Sequence, residues 1–283
     1  MTSQTLEAEA GSSGRAAKRA AGSSFYAAMR IMPPGQREAM FEIYSFCRAV
    51  DDIADDQGPA AGRLRQLEQW RTDLAALYWG QAPQDLAGLA AAVRGFKLDR
   101  EDFLAIVDGM EMDVLNDIQA PDFATLDLYC DRVASAVGRL SVRVFGLKDA
   151  DGKLLAHHLG RALQLTNILR DLDEDAEMNR LYLAREFLDE AGIHASEPAV
   201  VLAHPALGKV CGRIVQRARG HFRQADAIME QYPRRVVRTP RVMSEAYKSI
   251  LDVLVERAWA PPRNPVRLRK SSLGLILVRN FLF

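Results

Sequence analysis

Two short runs of aspartate constrain this 283-residue chain more than any other feature. The first is Asp51-Asp52-Ile53-Ala54-Asp55. The second, more than a hundred residues later, is Asp171-Leu172-Asp173-Glu174-Asp175. Both follow apolar stretches of helical periodicity, and both carry D-x-x-x-D spacing. Residues four apart sit one turn apart on the same helix face. Asp51 and Asp55 therefore point the same way, as do Asp171 and Asp175. Like charges at that spacing destabilise a helix. A chain that does this twice beside apolar surface calls for a cation to offset the repulsion.

The remaining pattern is helical almost throughout. Ala, Leu, Arg, Glu and Gln dominate, all strong helix formers, and runs of alternating β-branched residues are absent. The periodicity predicts helices over 36–55, 63–79, 85–93, 99–116, 125–144, 153–173, 205–231, 241–259 and 272–283. Proline-bearing segments separate the last three, and 192–204 reads as a connection with little pattern. Ser23-Ser24 looks like the cap of an earlier helix that Pro33-Pro34-Gly35 ends. No central Pro/Gly/Ser-rich linker divides the chain. Residues 22–283 are thus expected to form one all-α domain, a helical bundle burying most helices on more than one side. Residues 1–21, rich in Ala, Ser, Gly and Glu, are expected to be a disordered tail, neither signal peptide nor membrane span.

Lys+Arg and Asp+Glu both total 37, a balance that argues against a nucleic-acid partner, which usually meets a basic excess. Cys47, Cys130 and Cys211 are odd in number and widely spaced, which suits buried free thiols in a reducing cytosol better than a disulfide framework. The five histidines, at 157, 158, 194, 204 and 221, show no recognisable metal pattern and are expected to be structural or exposed. Trp70, Trp79 and Trp259 read as core or interface anchors. The apolar C-terminal run 273–283 is too short to span a bilayer. It suits either a last core helix or a peripheral contact with the inner membrane, since Arg267, Arg269 and Lys270 precede it.

The clusters extend into polar stripes. Tyr44, Arg48, Asp51, Asp52 and Asp55 follow one another along the first helix. Gln164, Asn167, Asp171 and Asp175 follow at spacings of three, four and four along the second, with Arg170 beside them. Hard oxygen donors without neighbouring His or Cys select Mg²⁺ or Mn²⁺ over zinc. Mg²⁺ takes only one or two carboxylates and fills its shell with water and phosphate oxygens. Two such arrays suggest several Mg²⁺ ions holding a diphosphate between helices, with Arg48, Arg170 and Arg180 adding charge-assisted contacts. No glycine-rich phosphate loop is present. A metal-bound diphosphate is a stabilised leaving group. If an allylic hydrocarbon carries it, departure leaves a carbocation that needs a dry apolar and aromatic wall. Phe25, Tyr26, Phe41, Tyr44, Tyr129, Phe145 and Tyr247 are candidates for that wall.

These residues resemble the squalene/phytoene synthase family over roughly residues 22–260. Five motifs in order carry the likeness. They are Ser23-Ser24-Phe25-Tyr26; Tyr44-x-Phe46-Cys47-Arg48-x-x-Asp51-Asp52-x-x-Asp55; Tyr129-Cys130-x-x-Val133-Ala134-x-x-Val137-Gly138; Gln164-x-x-Asn167-Ile168-x-Arg170-Asp171-x-x-x-Asp175; and Arg180-Leu181-Tyr182-Leu183. The resemblance implies an all-α isoprenoid-synthase bundle with a central cavity. The stretches 139–146 and 204–207 look similar to its bacterial hopanoid-pathway branch. That likeness implies the Mg²⁺-dependent, head-to-head condensation of two farnesyl diphosphates to presqualene diphosphate, without NADPH. Carried over, the metal ligands would be Asp51, Asp52, Asp55, Asn167, Asp171 and Asp175. Substrate would be held by Ser24, Phe25, Tyr44, Arg48, Gln164, Asn167, Arg170, Arg180, Tyr182 and Tyr247. Tyr129 joins Arg48, Asp51 and Asp171 as catalytic, with Tyr129 or the released diphosphate as proton acceptor. Where the family often has Gly before Arg180 and Pro after Leu183, this chain has Asn179 and Ala184, which predicts a looser segment there. Phytoene, dehydrosqualene and full squalene synthesis remain rival activities, and a non-catalytic helical scaffold is the rival outside enzymes.

Overall fold

The computed structural model describes residues 28–30, 32–115, 118–147, 149–268 and 270–282. The first helix, α1 (Pro34–Asp55), begins with Pro34 in the first turn, where its missing N–H costs nothing. It stops where Gly58 and Pro59 follow. Then come α2 (Ala60–Tyr78), α3 (Ala87–Phe96) and α4 (Arg100–Leu115). A longer helical run follows, made of α5 (Phe123–Cys130), a π-helical turn (Asp131–Ser135) and α6 (Ala136–Phe145). Asp122 caps it by accepting a hydrogen bond from the Thr125 N–H at 2.7 Å. Gly146 ends it in the left-handed region at φ 80°. The chain continues through α7 (Asp149–Arg170), α8 (Leu172–Glu177), α9 (Arg185–Glu190), α10 (Pro198–Leu202), α11 (Leu207–Glu230), α12 (Arg234–Arg257) and α13 (Lys270–Leu282). Among the described residues there is no strand, only an isolated bridge between Gln119 and Leu181.

The axis of the bundle is α7, which packs against α5, the π turn, α6, α11 and α12. Glycines let its neighbours approach closely. A Cβ on Gly160 of α7 would lie 2.7 Å from the Ser135 backbone N, and one on Gly138 of α6 would lie 3.0 Å from Ala156 Cβ. Inside this contact Arg161 holds Asp127 with two hydrogen bonds of 2.8 Å and donates to Asp131 and Ser135 at 3.1 and 3.0 Å. The π turn is thereby tied to α7, satisfying a buried guanidinium. Buried apolar residues from Met29 to Val266 form one contiguous core, and a smaller cluster around Ile276 seats α13 on α12.

Four local expectations change. The expected helix 153–173 bends at Asp171, whose φ/ψ of −101°/15° leaves the helical region between α7 and α8. The expected start at 241 moves back to Arg234, so Pro240 lies inside α12. A proline costs a helix one N–H bond, but Pro240 is buried against an apolar cavity, where tertiary packing outweighs local propensity. The region after residue 183 holds two short helices, α9 and α10, too brief to show periodicity. Trp79 is 85% exposed and so is no core anchor, whereas Trp70 packs edge-on against Phe46. The three cysteines are free, with Cys130 and Cys211 buried.

Candidate active site

The two aspartate clusters face a common cavity of about 410 Å³. Asp51 and Asp55 reach it from the end of α1, and Asp171 and Asp175 from the α7–α8 bend. Arg48, Gln164, Asn167, Arg170, Arg180, Tyr129 and Tyr182 complete its polar wall. Asp52 and Asp173 do not join it. Each is offset from the inward face by a residue or two, and on a helix that turns the side chain away. Asp52 is 62% exposed and pairs with Arg48 at 2.9 Å. Asp173 is gripped from outside by Arg263, at 2.5 and 2.9 Å. Asp52 is therefore the one proposed metal ligand in the described residues whose side chain stands off the cavity.

Arginines bridge the acids. Arg48 binds Asp51 at 2.6 Å, and Arg170 takes Asp171 with bonds of 2.7 and 2.6 Å. Arg180, from the second region, crosses to the first. It donates to Asp55 at 2.7 Å and to the Ala54 carbonyl at 2.9 Å. The residues on either side of it are anchored to Gln119: Leu181 by the backbone bridge, and Asn179 by its Oδ1, which accepts from the Gln119 amide at 3.1 Å. Asn179 adopts φ 59°, a left-handed conformation that asparagine tolerates better than most side-chain-bearing residues. The expected looseness is thus countered by a new hydrogen bond that glycine could not make.

One acid was not singled out by sequence reasoning. Asp113, buried in α4, accepts hydrogen bonds from the hydroxyls of Tyr129 at 3.0 Å and Tyr182 at 2.6 Å. The two rings stack with centroids 4.9 Å apart. A signal existed: Ile106, Met110 and Asp113 recur at i, i+4 and i+7, so the acid interrupts an apolar stripe, and all three line the cavity.

The electrostatics follow from crowding acids in a partly dry space. Burial, then Asp171, raises the Asp175 carboxyl to about 8. Burial, then Asp55, raises Asp51 to about 6, against the pull of Arg48. Asp113 also rises to about 6, since burial outweighs the help of Arg180 and the two tyrosines. Burial and the Asp113 charge hold Tyr129 and Tyr182 far above the ordinary phenol range. Asn167 Oδ1 is buried and accepts no hydrogen bond. Unpartnered oxygen, carboxylates that retain protons and an all-oxygen donor set together fit a hard cation.

Against the acidic cavity lies a second, apolar one of about 220 Å³. Cys47, Val133, Gln164 and Asn167 belong to both walls. Tyr44, Val137, Phe145, Leu159 and Leu163 line the apolar part. From Asn167 to Leu155 along α7 it runs twelve residues, about 18 Å at the helical rise. Of the proposed aromatic wall, Tyr44 and Phe145 are present here and Tyr129 in the polar part. Phe41 and Tyr247 are buried outside both walls, with Tyr247 hydrogen-bonded to Arg170. Ser24, Phe25 and Tyr26 lie outside the described residues.

An acidic mouth beside an apolar cavity, inside a bundle of helices, defines an all-α isoprenoid-synthase fold. A crystal structure of a dehydrosqualene synthase in complex with ligand superposes with a TM-score of 0.84, covering 98% of this chain and 96% of that one at 22% identity. A sequence profile for squalene/phytoene synthase matches residues 18–271, and the chain belongs to that family. It is 62% identical over 260 residues to a presqualene diphosphate synthase of Rhodopseudomonas palustris, covering 92% of this chain and 93% of the relative. It is 58% identical over 274 residues to the enzyme of that name from Sinorhizobium fredii, covering 97% and 98%.

Proposed function

We propose that this chain is a prenyltransferase that joins two farnesyl diphosphates head-to-head into presqualene diphosphate. The observation that carries the reading is the acid-lined cavity lying against the apolar one, with Cys47, Val133, Gln164 and Asn167 in both walls. A diphosphate and its hydrocarbon tail would each meet matching chemistry. Asp51, Asp55, Asp171, Asp175 and the free Asn167 oxygen would hold Mg²⁺, with Mn²⁺ as a substitute. Bound there, Mg²⁺ would neutralise a diphosphate and make it a better leaving group.

The chain's own residues supply the rest. Arg48, Arg170 and Arg180 already engage the acids and would turn donors toward phosphate oxygens. The walls around Leu163, Val137 and Phe145 would exclude water from an allylic cation formed when the diphosphate leaves. The double bond of the second farnesyl diphosphate attacks that cation, and loss of one proton closes the cyclopropane. Tyr129 donates its own hydrogen to Asp113. A proton arriving at the Tyr129 oxygen could therefore pass on to Asp113 as one relay. The released diphosphate is the competing acceptor.

Product analysis with farnesyl diphosphate and Mg²⁺, with and without NADPH, tests the reading. Presqualene diphosphate in both cases is expected. Squalene as the main product with NADPH, or preferred conversion of geranylgeranyl diphosphate to phytoene, would refute it. Asp51→Asn should abolish turnover while leaving the fold intact; unchanged turnover would refute its role as a metal ligand, and no turnover by wild type would favour a scaffold role. Among the described residues no helix is long and apolar enough to cross a membrane. We further propose that the enzyme works in the cytosol and touches the inner membrane through α13, where Leu275 is 70% and Val278 53% exposed. Liposome flotation of the full chain against one ending at Arg269 tests this, and equal flotation would exclude it.

A further inference from the structure

Away from the cavity, three of the five histidines meet where α7 packs on α11. Neighbours in a helix point about 100° apart. His157 and His158 therefore splay from α7, and His221 of α11 enters from the facing helix. His158 Nδ1 and His221 Nδ1 are 3.0 Å apart, and one ligand nitrogen from each of the three rings lies within 4.8 Å of the others. Tetrahedral zinc with bonds of about 2.0–2.1 Å holds its nitrogens about 3.4 Å apart. The observed spacing brackets that value. All three rings are half-buried.

The charges around the trio permit a cation. The nearest positive group, Arg161, is already held by Asp127 and Asp131, and Arg139 beyond it by Asp102 and Asp131. Burial holds each imidazole below its ordinary range, His221 at about 4, so the rings are neutral at physiological pH, and a metal would replace the hydrogen bond that His158 Nδ1 and His221 Nδ1 share. Imidazole sets of this kind take zinc, copper or nickel, whereas Mg²⁺ prefers the oxygen donors of the cavity.

We propose that His157, His158 and His221 form a second metal site, for a transition ion such as Zn²⁺, that staples α7 to α11. The helix so fixed carries Gln164 and Asn167 about two to three turns further along, so the staple would brace the cavity wall without touching substrate.

The test uses Zn²⁺ alone as probe, titrated into the full chain after chelator treatment and dialysis. Calorimetry reads the binding, thermal unfolding reads the bracing, and zinc-edge X-ray absorption reads the ligands. Wild type and Asp51→Asn should each bind one equivalent through imidazole nitrogen and melt higher with zinc. His221→Gln should bind at least about tenfold more weakly. His158→Gln provides the same reading should His221→Gln fail to fold, with circular dichroism as the check on both. No zinc uptake by wild type at micromolar concentration, oxygen-only ligation, or wild-type affinity in a folded histidine variant would overturn the site.

Discussion

Replacing Asp175 with Asn tests whether the acidic mouth is built for a cation. In the metal-free fold, burial and then Asp171 raise the Asp175 carboxyl from 3.8 to about 8. The unfolded chain releases that proton near pH ~4. Between these values the native state holds a proton that the unfolded state has lost. Native stability therefore falls as pH rises through the window, and levels off above about 8. From about pH 6 to about pH 8 the fall is at most two units at ~1.36 kcal/mol each, an upper bound of about 2.7 kcal/mol because the native carboxyl is half-ionised at about 8. Partial solvent access to the side chain reduces this to roughly 1–2 kcal/mol. Asparagine keeps the volume and cannot ionise, so the Asp175 share of the slope should vanish, leaving only what Asp51 and Asp113 contribute near pH 6. Urea unfolding in chelator at both pH values, followed by circular dichroism, gives the comparison. Wild type should lose roughly 1–2 kcal/mol more than Asp175→Asn across the window. Adding Mg²⁺ with inorganic diphosphate should stabilise wild type and leave the variant nearly unmoved. Parallel pH profiles, with equal response to Mg²⁺, would refute the claim that acids are crowded here to hold metal.

Further tests address the parts around it. Arg180→Ala removes bonds to Asp55 and the Ala54 carbonyl; at about 1.5–3 kcal/mol for charged hydrogen bonds, kcat/KM should fall roughly 10–100-fold. Steady-state kinetics beside Arg180→Lys check it, and full activity in the alanine variant would contradict the bridge. Tyr182→Phe deletes a donor that favours the ionised Asp113, so that acid should rise further above about 6. The acid limb of kcat/KM should then move to higher pH; an unmoved limb would remove Asp113 from the proton relay. Gly160→Ala places a Cβ against the Ser135 backbone at 2.7 Å. It should cost about 1–3 kcal/mol in urea unfolding, and a neutral result would deny that close approach.

Much of the fold could be seen in the chain itself. Helix after helix falls within a few residues of its expected place, because amphipathic periodicity and Gly or Pro stops act over short distances. The inward faces of Asp51 and Asp55, and of Gln164 and Asn167, follow from the same local geometry. Pro240 escaped it because packing against the tunnel overrode propensity. The bend at Asp171 escaped it because the flanking Leu169, Arg170 and Leu172 are good helix formers. Asp113 was readable only as an acid out of place in an apolar stripe, a sign that it is buried but silent about its two tyrosine partners.

Sequence alone thus determined the helical class and the faces on which the acids stand, since spacing along one helix is set by backbone geometry. Only the tertiary structure decided that both acidic faces share one cavity, that Arg180 reaches 125 positions back to Asp55, and that His221 closes on His157 and His158. Those meetings depend on how distant helices pack, and packing is settled by the whole set of buried side chains, which no local pattern encodes.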